Sequence, residues 1–199
     1  MPLDVSFYRN IIPHGRIVYV YISPGAASAN GLAGIVVYSR IAENENRNGR
    51  YTSMVELKEI GENNYKEVLA LDVAPDQKSH VAPNVVSLAQ AWVFRGVARP
   101  FAICAGDTVV GFAMLEVDLE KPSYDIWRFM IDRRHQRKGY GRAAMGRILA
   151  YLTSIGAREV RLSYVPGNTA TQTLYAGCGF EPTGEVEGGE IVMRWTART

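Results

Sequence analysis

Between Tyr124 and Val165 the sequence spells a strand, a helix and a second strand in succession, and this run limits the choice of fold most severely. YDIWRFMID (124–132) is apolar enough to be a buried strand. Gly141 to Ile155 has helical periodicity: Ala144, Ile148, Leu152 and Ile155 fall on one face, and Gly156 is a good C-terminal stop. EVRLSYV (159–165) is the returning strand. A strand–helix–strand crossover of this length places its two strands in one sheet. The flanking pattern is antiparallel. MVELKEI (54–60) alternates as a strand, and PFAICAG (100–106) turns at Gly106-Asp107 into TVVGFAMLEV (108–117) as a hairpin. ENNYKEVLAL carries Val68, Leu69 and Leu71 on a helical stripe, and Val85 to Trp92 reads as a second short helix. PDQKSHVAP between them is loop-like. Asn168 to Ala176 reads as a short helix ended by Gly177. GFEPTGEV and EIVMRWT close the chain as a hairpin around Gly188-Gly189. The fold class is α/β (α+β): a mixed, mostly antiparallel sheet flanked by helices.

A chain of 199 residues suits one domain plus a short extension, and it can bury a core without disulfides. Its 22 Lys+Arg against 20 Asp+Glu leave a formal charge of +2, which argues against binding nucleic acid by bulk charge. No apolar run approaches the ~20 residues of a membrane-spanning helix. Cys104 and Cys178 stand at unrelated positions and read as small core residues of a cytoplasmic protein; no His/Cys spacing suggests a metal. Residues 1–53 differ from the rest and form an N-terminal extension of unassigned role. RIVYVYI (16–22) and GIVVYSR (34–40), joined by a small-residue turn, suggest a β-hairpin. Ala27-Ser28-Ala29 looks like a secretory cleavage site. However, the apolar core before Pro24 is shorter than the ~7–15 residues expected, which favours the cytoplasm over export. Met54 is an alternative start, and 54–199 is the main domain.

RFMIDRRHQRKGYGRAAM (128–145) carries most of the chemistry. Residues 128–147 hold Arg128, Arg133, Arg134, Arg137, Lys138, Arg142 and Arg147 against Asp132 alone. Gly139 and Gly141 let main-chain N–H groups approach an anion, and a helix start adds unpaired donors and a positive dipole end. These residues fit a pyrophosphate site. Gly139-Tyr-Gly141-Arg-Ala-Ala144 also fits a loose dinucleotide GxGxxA, but no acid ends the next strand. A Walker loop is absent, and a solvated basic loop with a glycine hinge is the plain alternative.

Gln136-Arg-Lys-Gly139-Tyr-Gly141, between strand and helix, resembles motif A of the GNAT acetyltransferase superfamily (Gln/Arg-x-x-Gly-x-Gly/Ala) at every defined position. Asn168 followed by LYAGCGF (174–180) is similar to its motif B. VAPNVVSLAQA (81–91), VVGFAML (109–115), IWRFMID (126–132) and Pro182–Glu185 look like bacterial spermine/spermidine (diamine) N-acetyltransferases. The resemblance covers about Met54 to Trp195 and none of residues 1–53.

The resemblance implies acetyl-CoA in a cleft between two splayed parallel strands, IWRFMID and VRLSYVP. The pantetheine arm would pair with the main chain at Phe129, Met130 and Ile131. The pyrophosphate would meet Gln136, Arg137, Lys138, Gly139, Tyr140, Gly141 and Arg142, and Asn168 would be either a cofactor contact or a helix N-cap. It also implies Tyr175 as general acid for the leaving thiolate, direct transfer in a ternary complex, and often a homodimer. An alkylamine titrates near ~10, so a carboxylate must take its proton before attack. Glu116 is the candidate, with Asp118 and Asp125 as rivals in an acidic stretch, 107–125, suited to a cationic substrate. Trp127, with Trp92 and Tyr124, offers aromatic surface for an alkyl chain or ammonium. His80 and His135 read as loop residues. The expected activity is transfer of acetyl to a primary amine of a polyamine. Another amine (an aminoglycoside or a protein N-terminus), a non-catalytic acyl-CoA sensor and a nucleic-acid module are the competing functions.

Overall fold

The computed structural model describes residues 8–12, 16–20 and 54–198. The chain divides into two units between Asn46 and Arg47. In the first, β1 (Tyr8–Ile12) pairs antiparallel with β2 (Arg16–Val20), from Tyr8↔Val20 to Ile12↔Arg16. The strand anticipated at 16–22 is therefore present over its first five residues, and it pairs with the segment before it. The anticipated partner at 34–40 and Ala27–Ala29 lie outside the described residues.

The second unit runs β3 (Glu56–Glu59), α1 (Tyr65–Ala70), a 3₁₀ turn (Pro75–Gln77), α2 (Asn84–Val93), β4 (Ala98–Ala105), β5 (Thr108–Asp118), β6 (Ser123–Ile131), α3 (Tyr140–Ser154), β7 (Glu159–Tyr164), α4 (Thr169–Ala176), β8 (Glu181–Glu187) and β9 (Glu190–Thr196). Every element expected from Met54 onward is present, with ends shifted by up to three residues. The strands form one seven-stranded sheet in the order β3-β4-β5-β6-β7-β9-β8, antiparallel throughout except for β6 and β7. The two-residue turn at Gly106-Asp107 works because Gly106, at φ 60°, takes the left-handed first position that matches the twist of the strands.

Both faces of the sheet are covered. One carries α3 and α4 over Leu115, Ile126, Ile148, Leu152 and Leu162; the other carries α1 and α2 over Phe112, Met114 and Met130. That double cover explains why β5 reads as an almost unbroken apolar run. Cys104 is buried and Cys178 half-buried, and both are free thiols. No helix among the described residues is long and apolar enough to cross a membrane.

Gly111 marks the tightest point of the sheet. It lies opposite Ile131, and a Cβ built there would stand 2.5 Å from the Met130 carbonyl oxygen and 2.8 Å from Ile131 Cδ1. Main chain cannot yield as a flexible side chain can. Gly111→Ala is therefore expected to lower stability by about 1–3 kcal/mol. Chemical denaturation measures this, and an unchanged midpoint would show that the strand absorbs the methyl group.

Candidate active site

The parallel pairing of β6 and β7 is brief. It joins Asp125 to Arg161 and Ile126 to Leu162, then stops. Past that point β6 stays with β5 as far as Ile131↔Gly111, while β7 stays with β9 as far as Tyr164↔Ile191. Each strand follows its other neighbour, so the two diverge. A bulge sits at the fork: Met114 faces Arg128 and Leu115 faces Ile126, which leaves Trp127 as the extra residue. The fork opens into a cleft of about 1470 Å³, and Phe129, Met130 and Ile131 line one arm. Met130 and Ile131 are also core, 6% and 8% exposed, so one segment packs its side chains while its main-chain edge faces the cleft.

At the end of that arm the chain makes the glycine-rich turn. Arg137 has φ 62° and Gly139 has φ 86°, both left-handed, with α3 starting at Tyr140. Alternating handedness over successive residues, followed by a helix start, is the backbone pattern in which main-chain N–H groups can converge on an anion. Gly141 sits under α4, where a Cβ would already meet Leu174 at 3.4 Å. Gln136, Arg137, Gly139, Gly141 and Arg142 line the cleft; Lys138 and Tyr140 do not, and the Tyr140 ring packs near His135 instead. Two of the lining side chains serve the fold. Gln136 Nε2 donates to the Ile131 carbonyl at 3.0 Å and to Gln77 Oε1 at 2.8 Å, and Arg142 donates to the Gly177 carbonyl at 3.1 Å.

Asp132 anchors the turn. Its buried carboxylate accepts from Arg134 Nε (2.8 Å), Arg134 NH2 (3.0 Å), the Arg134 N–H (2.9 Å) and the Asp72 N–H (3.1 Å). Burial alone would raise its pKa; the Arg134 guanidinium and the two main-chain donors outweigh burial and hold it at about 2. In the sequence this residue was only the one acid in a basic stretch.

Tyr175, near the end of α4, is buried among Phe129, Tyr164 and Phe180, with ring centroids 6.5, 6.4 and 5.9 Å away. It lines the cleft, and its hydroxyl makes no protein hydrogen bond among the described residues. Burial first, then the charge of Glu190, push the phenol well above its ordinary pKa, so it stays protonated. Asn168 caps α4: its Oδ1 accepts from the Thr171 N–H at 3.1 Å. It also lines the cleft, with Nδ2 lying 3.4 Å from His80 Nδ1. Both roles considered for Asn168 are thus open to it, one for each end of the amide. His80 belongs to the cleft wall, which its polar loop context did not suggest.

The far side of the fork is acidic. Glu116 and Asp125 are directly opposed across β5 and β6, and both line the cleft with Trp127. Burial raises the pKa of each; Asp125 raises Glu116 further, while the Trp127 indole pulls Glu116 back in part. Asp118 does not join them. Its carboxylate accepts from the N–H groups of Glu120 and Lys121 and caps the β5–β6 turn outside the cleft. Asp107 lies at the opposite end of β5, so the acidic stretch 107–125 is not one wall. Trp92 is 74% exposed on α2, and Tyr124 reaches the Ile155 carbonyl, so Trp127 alone of the three aromatics lines the cleft. Glu187 and Glu190 from the last hairpin also line it, and sequence reasoning missed both. The acidic turn Glu187-Gly-Gly-Glu190 was the available signal.

One cleft thus joins a forked sheet, a glycine-rich turn on one arm, a buried phenol and an acidic far wall. The acetyltransferase (GNAT) family model matches residues 64–180, and the chain belongs to that family as an N-acetyltransferase. It is 29% identical over 147 residues to the spermine/spermidine N(1)-acetyltransferase of Bacillus subtilis (strain 168), covering 70% of this chain and 96% of the relative. The fold matches that of a spermidine N-acetyltransferase from Vibrio cholerae in complex with CoA and spermine. The TM-score is 0.58 at 21% identity, over 71% of this chain and 94% of that one. It also matches a PaiA N-acetyltransferase from Thermoplasma acidophilum in complex with coenzyme A. Here the TM-score is 0.56 at 13% identity, over 72% of this chain and 99% of that one.

Proposed function

We propose that this enzyme acetylates a primary amine of a polyamine, with acetyl-CoA as donor, by direct attack within a ternary complex. The observation that carries the reading is the pairing of Glu116 with Asp125 at the fork, across the cleft from the glycine turn. One end suits a cation and the other a polyanion. The name of the Bacillus subtilis relative supports the same substrate class.

Acetyl-CoA supplies the acetyl group as an activated thioester. The unpaired edge of Phe129 to Ile131 is suited to pair with the pantetheine amides, and the turn from Arg137 to Arg142 to hold the diphosphate. An ammonium group near ~10 in pKa must lose a proton before it attacks. Glu116, raised above the ordinary carboxylate range by burial and by Asp125, is a stronger base than a solvent-exposed glutamate and takes that proton, directly or through water. Tyr175 returns a proton to the leaving thiolate.

The test is a panel of amines with acetyl-CoA, following free thiol release. Spermidine and spermine are expected to be turned over with kcat/KM at least about tenfold above an aminoglycoside or a peptide N-terminus. Turnover of one of those alone would overturn the polyamine reading and leave the enzyme class intact.

A further inference from the structure

Glu116 and Asp125 do not exhaust the carboxylates of the cleft. Glu187 and Glu190 line it from the other side, and they are held differently. Arg161 NH2 donates to Glu187 at 2.7 Å and to Glu185 at 2.6 Å, so both already have a cation. Glu190 has no ion-pair partner among the described residues. It accepts a hydrogen bond from the Ser163 hydroxyl. A hydroxyl donor orients a carboxylate without supplying a counter-charge, which leaves Glu190 aimed and without a paired cation among the described residues.

The register sets its position. Arg161 stands beside Asp125, and Asp125 faces Glu116. Ser163 is two residues beyond Arg161, on the same side of the sheet, and Glu190 lies one residue outside the last β7–β9 pair, Tyr164↔Ile191. Glu116, Asp125, Ser163 and Glu190 therefore border one face of the fork. From Glu116 to Glu190 the path crosses three strand intervals and runs about four residues along them. At ordinary sheet spacings this is ~14 Å by ~13 Å, or ~19 Å between Cα atoms before either side chain reaches inward. An extended chain gains ~1.2 Å per bond, so a four-carbon diamine spans only ~6 Å, a triamine of about nine bonds ~11 Å and a tetraamine of about thirteen ~16 Å. Of the three, the short diamine covers least of this separation, and the longer amines cover progressively more of it.

We propose that Glu190, oriented by Ser163, receives the distal ammonium of the acceptor and makes the enzyme select tri- and tetraamines over short diamines. The inference rests on the polyamine reading above. The distal nitrogen stays protonated while the reacting one is deprotonated, so a charge-assisted hydrogen bond forms at one end only. The influence of Glu190 on Tyr175 agrees with both groups bordering the same space.

The experiment compares steady-state kinetics of wild type, Glu190→Gln and Ser163→Ala with putrescine, spermidine and spermine, together with melting temperatures. Glu190→Gln is expected to raise KM for spermidine and spermine by about 10-fold or more. KM for putrescine and for acetyl-CoA should stay within about twofold. Ser163→Ala should show the same pattern more weakly, since the charge remains but is less well aimed. It carries the test alone if Glu190→Gln fails to fold. Equal KM changes for all three amines, or none for spermidine, would overturn the role of Glu190 while leaving the polyamine reading in place. A wild type that acetylates no polyamine overturns both.

Discussion

Tyr175→Phe is expected to lower kcat by about 10²–10⁴-fold while leaving coenzyme A affinity and melting temperature almost unchanged. The size follows from the general-acid role proposed for the hydroxyl. Acyl transfer expels a thiolate, and a positioned acid that protonates it removes the charge that develops there. The environment suits that role: three aromatic rings surround the phenol, and burial keeps its proton on across the pH range in which an amine can be activated. Stability is spared because the hydroxyl has no protein partner to lose among the described residues, and the ring stays. Isothermal titration with coenzyme A and a thiol-release assay separate the two effects. Full activity in the Phe variant would remove Tyr175 from the chemistry and return it to packing.

Asp132→Ala is expected to lower stability by about 2–4 kcal/mol, because it strips partners from two main-chain N–H groups and a guanidinium at once. At this chain length that is a fall of about 5–15 °C in Tm. The same change loosens the start of the glycine turn, so coenzyme A affinity should fall by about tenfold. The pH dependence has a definite sign. The folded-state pKa, about 2, lies below the unfolded value of ~3.9, so the native state favours the ionised form. The resulting stability is fully present above the unfolded value and is lost as pH falls through about 2. The Tm gap between wild type and Asp132→Ala should thus be constant from pH 7 to 5 and shrink toward pH 2. A gap that persists undiminished at pH 2 would show that the ionised carboxylate is not what holds the turn.

Much of this was legible in the residues. The glycine turn could be placed because left-handed backbone at Gly139 and a helix start are local requirements that local sequence must meet. Tyr175 and Asn168 were placed by the motif around them. The acceptor wall was less legible. Asp107, Glu116, Asp118 and Asp125 are close in sequence, yet β5 runs the full distance between the first and third of them. Hairpin geometry sends Asp107 to one end, turns Asp118 into a cap and brings Glu116 against Asp125. His80 joins the wall from a loop 88 residues before its neighbour Asn168, with no local pattern to announce it.

The order and type of the elements from Glu56 onward, the crossover and the left-handed glycine turn were all written locally in the chain. Each depends on periodicity or on backbone conformations that neighbouring residues impose. Folding alone sets where β6 and β7 part, that β9 enters between β7 and β8, and hence that Glu187 and Glu190 border the same cleft as Glu116. Strand pairing joins residues remote in sequence, and a carboxylate carries no local mark of the strand it will face.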